Sequence, residues 1–267
     1  MTLTTIQLNF GNLEDIMKPT YIIASLIVAI SVQTEILLAK EPVRIGGSDY
    51  PISTFMENGE IVGLDFDIVE AILKEVGITN TERILRPWKR ILIELDSGKV
   101  DMVVPMVFTE ERKNKYLLTP SIRSRFNIVL VRKNFGKSIK TISDLKGLTV
   151  GKCDGFAYQK EFLDAAEKKL FKSSYCLNNR MGLLKMAKGR TDALMLGIDS
   201  ALYLINKEEY EGAFKFSNYR SEKASHVGIH KSNVKLYHKF IVGFEKAQKK
   251  GIIEKIIRDW EQRYSID

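Results

Sequence analysis

The sequence predicts an α/β protein built from two strand–helix sets joined by crossing strands. Three observations lead there. From Val43 onward, short apolar runs alternate with segments whose apolar residues recur at helical spacing, the pattern of parallel strands covered by helices. Two further extended stretches, a long one at 126–131 and another at 226–229, stand where the first set gives way to the second and where the second ends. Two amphipathic helices close the chain, placed to return to the first set. The alternation also fits one continuous doubly wound sheet, and periodicity does not separate the two arrangements.

Residues 43–46 form the first strand. Gly63-Leu64-Asp65 opens a helix carrying Phe66, Val69, Leu73 and Val76 on one face, and Gly77 ends it. Residues 83–85 are a strand stopped by Pro87. Ile91, Leu92 and Leu95 line a helix closed by Gly98, and Met102-Val103-Val104 is the third strand. Beyond the first crossing come a helical turn at 141–145, a strand at 148–151, a helix over 156–170 and a strand at 174–177. A helix over 181–187 then stops at Gly189, 193–196 is a strand, Asp199 caps a helix running to 206, and 213–216 is the last strand of the set. The closing helices carry Val234, Tyr237, Ile241 and Phe244, then Ile253, Ile256, Ile257 and Trp260, with Gly251 between them. This organisation puts one lobe at 42–130 plus 226–267 and the other at 131–225. The cleft between them is the natural ligand site, and the crossings are its hinge.

The 267 residues, 45% hydrophobic and 28% charged, suffice for one large domain or two lobes. The net charge of +8 is scattered rather than gathered with aromatic residues, which reads as a solvated basic surface and not as a nucleic-acid face. Residues 1–39 read as a signal peptide region that is removed. Lys18 precedes an apolar run at 21–32, shorter than the ~20 residues that span a bilayer. Ala29 and Ser31 suit cleavage after Ser31, a later cut near Ala39 is the alternative, and Met17 reads as the true start. An uncleaved anchor is the rival reading. No cysteine follows the run closely, so a lipoprotein acylation signal is missing. The expected product is a periplasmic monomer. Cys153 and Cys176 each end an expected strand in that oxidising space. A disulfide between them, contributing about 3 kcal/mol by loop closure, is the expectation, and two buried thiols are the alternative.

The stretch 86–112 carries the most functional information. A helix ending in Ser97-Gly98-Lys99 leads at once into the strand at 100–104, and Thr109 and Arg112 follow three residues apart. In an α/β layout this sets a hydroxyl and a cation just beyond a strand's carboxyl end, where such sheets bind small molecules. The planar donor fork of a guanidinium there matches a carboxylate.

The chain resembles the extracytoplasmic solute-binding proteins of the amino-acid type that serve ABC transporters (bacterial extracellular solute-binding proteins, family 3). Blocks in family order carry the resemblance: Asp49-Tyr50-Pro51, Gly63-Leu64-Asp65-Phe66-Asp67, Pro87-Trp88-Lys89-Arg90, Ser97-Gly98-Lys99-Val100-Asp101 and Thr109-Glu110-Glu111-Arg112, then Ile142-Ser143-Asp144-Leu145-Lys146-Gly147, Gly189-Arg190-Thr191-Asp192-Ala193, and Gly251-Ile252-Ile253 with Trp260. The resemblance implies a two-lobed type II periplasmic-binding-protein fold with two crossing strands. It implies a carboxylate clamp at Arg112 with Thr109, and backbone donors at Gly155, Phe156, Ala157 and Tyr158, where a helix start favours anions. Asp199 best matches the family's acid for an α-ammonium, and is equally readable as an N-cap. Tyr50, Phe55, Trp88, Phe108 and Tyr158 are candidates for an aromatic pocket, each also readable as core. Ser53 stands where the family usually stacks an aromatic residue, and Pro105-Met106-Val107-Phe108 replaces the usual Gly-Met-Thr segment. These departures leave Arg112 in place and tell against a standard α-amino acid as ligand.

No HExxH, GxSxG, Walker A or CxxC pattern occurs, which removes support for those enzyme and metal classes. His226, His230 and His238 read as hinge or surface residues, and no metal or other cofactor is expected. The expected function is capture of a small carboxylate-bearing solute for an ABC transporter permease, without catalysis. An enzyme on the same scaffold and a sensory ligand-binding module are the alternatives.

Overall fold

The computed structural model describes residues 41–153, 156, 158–207 and 210–264. The expected signal region lies outside the described residues, as does Gly155.

Strand β1 (Val43–Gly47) leads into a hairpin of β2 (Phe55–Glu57) and β3 (Glu60–Val62). Its turn residues Asn58 and Gly59 have φ of 51° and 88°, the tight turn whose twist suits antiparallel strands. Helix α1 (Leu64–Lys74) buries Phe66, Ile68, Val69, Ile72 and Leu73, with Asp65 and Asp67 in its first turn complementing the helix dipole. Then follow β4 (Thr81–Leu85), α2 (Trp88–Asp96), β5 (Met102–Met106), α3 (Glu110–Lys115), β6 (Tyr116–Leu118) and β7 (Arg123–Arg132). A 3₁₀ turn at Ile142–Leu145, closed by a reciprocal Thr141–Asp144 capping box, opens the second set. It continues with β8 (Thr149–Cys153), α4 (Lys160–Glu167), β9 (Lys172–Cys176), α5 (Asn179–Ala187), β10 (Ala193–Gly197) and α6 (Ile198–Lys207). Strand β11 (Phe214–His230), α7 (Val234–Lys249) and α8 (Ile252–Tyr264) complete the described chain.

The architecture is two-lobed. Strands β4, β1 and β5 form one parallel set, and β10, β8 and β9 the other. Between them run β7 and β11, antiparallel to each other, giving the order β4-β1-β5-β11-β7-β10-β8-β9, with β6 also on β11. Over Phe214 to Ser225, β11 pairs with β7. From His226 it pairs with β5, with a register shift between His226 and Gly228.

The structure differs from the expected elements at three places that bear on function. The stretches expected as separate strands at 213–216 and 226–229 fall in one strand from Phe214 to His230, because the polar run between them finds its backbone partners on β7 and needs no apolar face. The helix expected from 156 begins at Lys160. Tyr158 is held outside it, its hydroxyl accepting the Cys153 N–H at 2.7 Å and its ring 5.1 Å from Phe162. Asp199 lies within the first turn of α6, not at its cap.

The closing helices pack on the first half, as the crossing pattern predicts. Phe240, Phe244 and Trp260 join Ile45, Phe66 and Ile72 in one buried cluster, and each fully buried Phe contributes about 1.5–3 kcal/mol. Gly243 of α7 abuts the Ile72 carbonyl of α1, where any Cβ would overlap that oxygen. Trp260 Nε1 donates to Asp67 Oδ2 at 2.8 Å. The second half has its own core of Val129, Leu145, Val150, Phe162 and Phe171.

Candidate functional site

A pocket lies where the two halves meet the crossing strands. Ser48, Tyr50, Trp88, Val107 and Arg112 line it from the first half; Arg125, Asn127 and Lys223 from the crossings; Phe156, Tyr158 and Asn179 from the second. The space among them is about 490 Å³, part of it open to solvent.

Arg112 is placed by local chemistry. Thr109, the N-cap of α3, accepts the Arg112 N–H on Oγ1 at 3.1 Å, and Arg112 Nη1 donates to the Val107 carbonyl at 3.0 Å. Its guanidinium lies 5.1 Å from the centre of the Trp88 ring, a cation–π contact across the pocket wall. Burial lowers the Arg112 pKa, and the charges of Glu111 and Tyr116 work against that. The side chain stays protonated at any physiological pH.

The crossing strands supply two further cations. Arg125 on β7 and Lys223 on β11 are directly opposed across the antiparallel pair. The Arg125 guanidinium sits 5.1 Å from the Tyr50 ring centre and the Lys223 ammonium 5.0 Å from that of Tyr158. Burial, then the charges of Arg125 and Arg112, press the Lys223 pKa down to about 7. Tyr50 and Phe156, from opposite halves, approach to 5.5 Å between ring centres.

Other contacts hold the halves together beside the pocket. Arg123 donates to Asp65 at 2.6 Å, Asp199 at 3.2 Å and Ser53 at 2.8 Å. Burial opposes its charge, but Asp65 and then Asp199 outweigh that and hold the guanidinium above its ordinary range. Asn178 Nδ2 donates to Asp49 at 3.0 Å, and Ser200 Oγ to the Pro51 carbonyl at 2.9 Å.

Of the residues singled out from the sequence, Arg112, Trp88, Tyr50, Phe156 and Tyr158 come together in this pocket. Thr109 acts on Arg112 as its cap. Phe108 is 45% exposed under the Lys113 ammonium, and Phe55 is core against Tyr203. Asp199 lines a separate depression with Arg123 and Arg220. Cys153 and Cys176 are buried thiols, register partners on β8 and β9 with sulfurs 2.9 Å apart. Sequence reading missed Arg125, Asn127, Asn179 and Lys223. The alternation Arg123, Arg125, Asn127 leading into an apolar strand was the available signal for two of them.

The model of the bacterial extracellular solute-binding proteins, family 3, matches residues 43–263. The L-cystine-binding protein TcyJ of Escherichia coli (strain K12) is 28% identical over 82% of this chain and 81% of its own. The solved structure of an ancestral arginine-binding protein bound to arginine superposes with a TM-score of 0.75 at 27% identity, covering 83% of this chain and 98% of that one. A more distant relative, the membrane-bound lytic murein transglycosylase F of Sodalis glossinidius, is 23% identical over 58% of this chain and 34% of its own.

Proposed function

This chain belongs to the bacterial extracellular solute-binding proteins, family 3, and on that footing we propose that it captures a small carboxylate-bearing solute between its two lobes and delivers it to an ABC transporter permease. The observation that carries the reading is Arg112, held by its Val107 bond and against Trp88 in the wall of a pocket between the halves. A guanidinium fixed in this way loses little freedom when it takes a carboxylate. Residues of both halves line the pocket, so a bound solute gains contacts only when the halves close, and its differential affinity shifts the population to the closed form. Relatives named for cystine and arginine binding support an amino acid or related acid as the solute class. The lobes run 42–130 with 226–267 and 131–225, the leader is removed on export, and the monomer works in the periplasm.

The test is a thermal-shift screen of the purified chain against amino acids, dipeptides and organic acids, followed by calorimetry and analysis of the recovered ligand. A ligand selective for the native form raises the melting point by mass action. The expected result is an acid that binds and is recovered unchanged. Failure of the whole panel to bind would overturn the reading. Recovery of a chemically altered ligand would favour the second reading, an enzyme, which the transglycosylase relative brings in. Among the described lining residues no carboxylate stands ready as a general acid, which favours capture.

A further inference from the structure

The outer edge of the second half carries an apolar and basic surface that the pocket does not use. Strand β9 stands at the end of the sheet order, and α5 begins three residues after it ends. The helix turns Leu183 and Met186 into the core and leaves Met181 and Leu184 on its outer face, three positions apart. Leu177, just before the Asn178 cap, extends that face by a further helical step. Tyr175 lies beside it on β9, where its carbonyl accepts from the Lys185 ammonium. These four side chains run from 39% exposed at Met181 to 68% at Leu177. Single exposed apolar residues are ordinary, whereas a cluster this close in sequence marks a surface that meets something. Its setting is basic. The stretch 172–190 contains Lys172, Arg180, Lys185, Lys188 and Arg190 and neither aspartate nor glutamate. Lys188 follows Leu184 at helical spacing on the outer face, and the Lys152 ammonium of β8 lies 5.3 Å from the Tyr175 ring centre. A second copy seated on the same face by two-fold symmetry would set these cations against their own equivalents, which disfavours that occupant.

We propose that the β9–α5 face docks reversibly on a membrane surface that bears anionic phospholipids. Apolar side chains on one face of a basic helix are the composition that lies in the plane of such a surface. Leu177, Met181 and Leu184 enter the headgroup layer, and Tyr175 suits its boundary, with an apolar ring and a polar tip. The lysines around them meet the lipid phosphates, whose charge complements theirs. No helix among the described residues is long and apolar enough to cross a membrane, so the contact is one of surface alone. Docking does not depend on the pocket. Its use, carrying a captured solute in the plane where a permease sits, rests on the solute-binding reading.

Co-sedimentation of the purified exported chain with vesicles of phosphatidylethanolamine and phosphatidylglycerol tests this, against vesicles of phosphatidylcholine alone. Binding to the anionic vesicles is expected to be about tenfold tighter than to the neutral ones and to weaken as salt is raised. The pair Leu177→Ser with Leu184→Ser, and separately the pair Lys172→Gln with Lys188→Gln, should each weaken it about tenfold. All four positions are exposed, so melting temperatures should stay at the parent value. Any contribution of the leader is common to parent and variants. Equal binding to anionic and neutral vesicles, or variants that bind as the parent does, would overturn the inference. A dimer in sedimentation velocity that the leucine pair dissolves would assign the face to a second copy and overturn it too. Thermal shifts with L-cystine and L-arginine should match between parent and variants. A chain that binds the vesicles and captures no acid would keep this inference while the solute-binding reading falls.

Discussion

Arg123 Nη1 lies 3.2 Å from Asp199 Oδ2, so a carboxylate that the sequence suggests for a ligand's ammonium is committed to a cation of the crossing strand. The same guanidinium grips Asp65 at 2.6 Å, and the cluster ties α1, β7 and α6 together in a nearly dry setting. Asp199→Asn keeps a hydrogen-bond acceptor but leaves Arg123 with one counter-charge. The expected loss is about 1–3 kcal/mol of stability, read from chemical denaturation. Affinity should change equally for an acid and for its α-amino derivative. A loss confined to the α-amino compound would return Asp199 to the ligand.

Arg112→Ala should cost about 2–5 kcal/mol of binding, at least a thirtyfold loss in calorimetric affinity. Arg112→Lys keeps the charge but lacks the planar fork that bonds the Val107 carbonyl and covers Trp88, so an intermediate loss is expected. Parent-like affinity in the alanine variant would remove Arg112 from the site.

Lys223 is expected to make stability, and on the solute-binding reading capture, depend on pH. Its folded pKa, about 7, lies below the ordinary 10.5. Between those values the unfolded chain binds more protons, so the stability of the empty protein should rise with pH across that window and level off on either side. Among the described residues, Arg125 on β7, Arg112 on α3 and Tyr158 face Lys223, and burial pushes the Tyr158 hydroxyl well up and keeps it neutral. A carboxylate bound beside Lys223 would favour its ammonium form, so capture at pH 7.5 should take up protons. Calorimetry in two buffers of different ionisation enthalpy measures the uptake, and identical heats would refute it.

Gly243→Ala should destabilise the protein by about 1–3 kcal/mol, because the new methyl must push α7 away from the Ile72 carbonyl. Gly136→Ala is the matched control. A Cβ there meets nothing within 4 Å, and its effect should stay within about 0.5 kcal/mol. Equal melting temperatures for the two variants would show that the close approach of α7 to α1 is not restrictive.

The contact between Cys153 and Cys176 is expected to become covalent on export. The Cys176 sulfur, and then burial, raise the Cys153 thiol, so Cys153 should resist alkylation in the folded reduced chain. Intact mass before and after reduction checks the pairing: the exported chain should be two hydrogens lighter. An unchanged mass would leave the pair as thiols.

Much of this was legible from local pattern. Arg112 could be read because its strand, its Thr109 cap and its helix are consecutive in sequence. Arg125 and Lys223 could not, because their meeting depends on a register between distant segments, and the polar run around Lys223 looks like a loop until β7 is set beside it. The start of α4 was misread because a tertiary anchor, the Tyr158 hydroxyl on the Cys153 N–H, overrides helical propensity. The β2–β3 hairpin went unread although Asn58-Gly59 announces it, since its strands are only three residues each.

One consequence follows from β11 belonging to both halves. Any rotation of one lobe against the other turns about this strand and β7, so Lys223 and Arg125 stand at the fulcrum. Atoms near an axis sweep the shortest arcs. A floor so placed would keep nearly the same form through any opening and closing of the cleft, while Phe156 and Asn179 would move with the far side. On the solute-binding reading, an arriving solute would meet this floor first and the outline of the far side only afterwards.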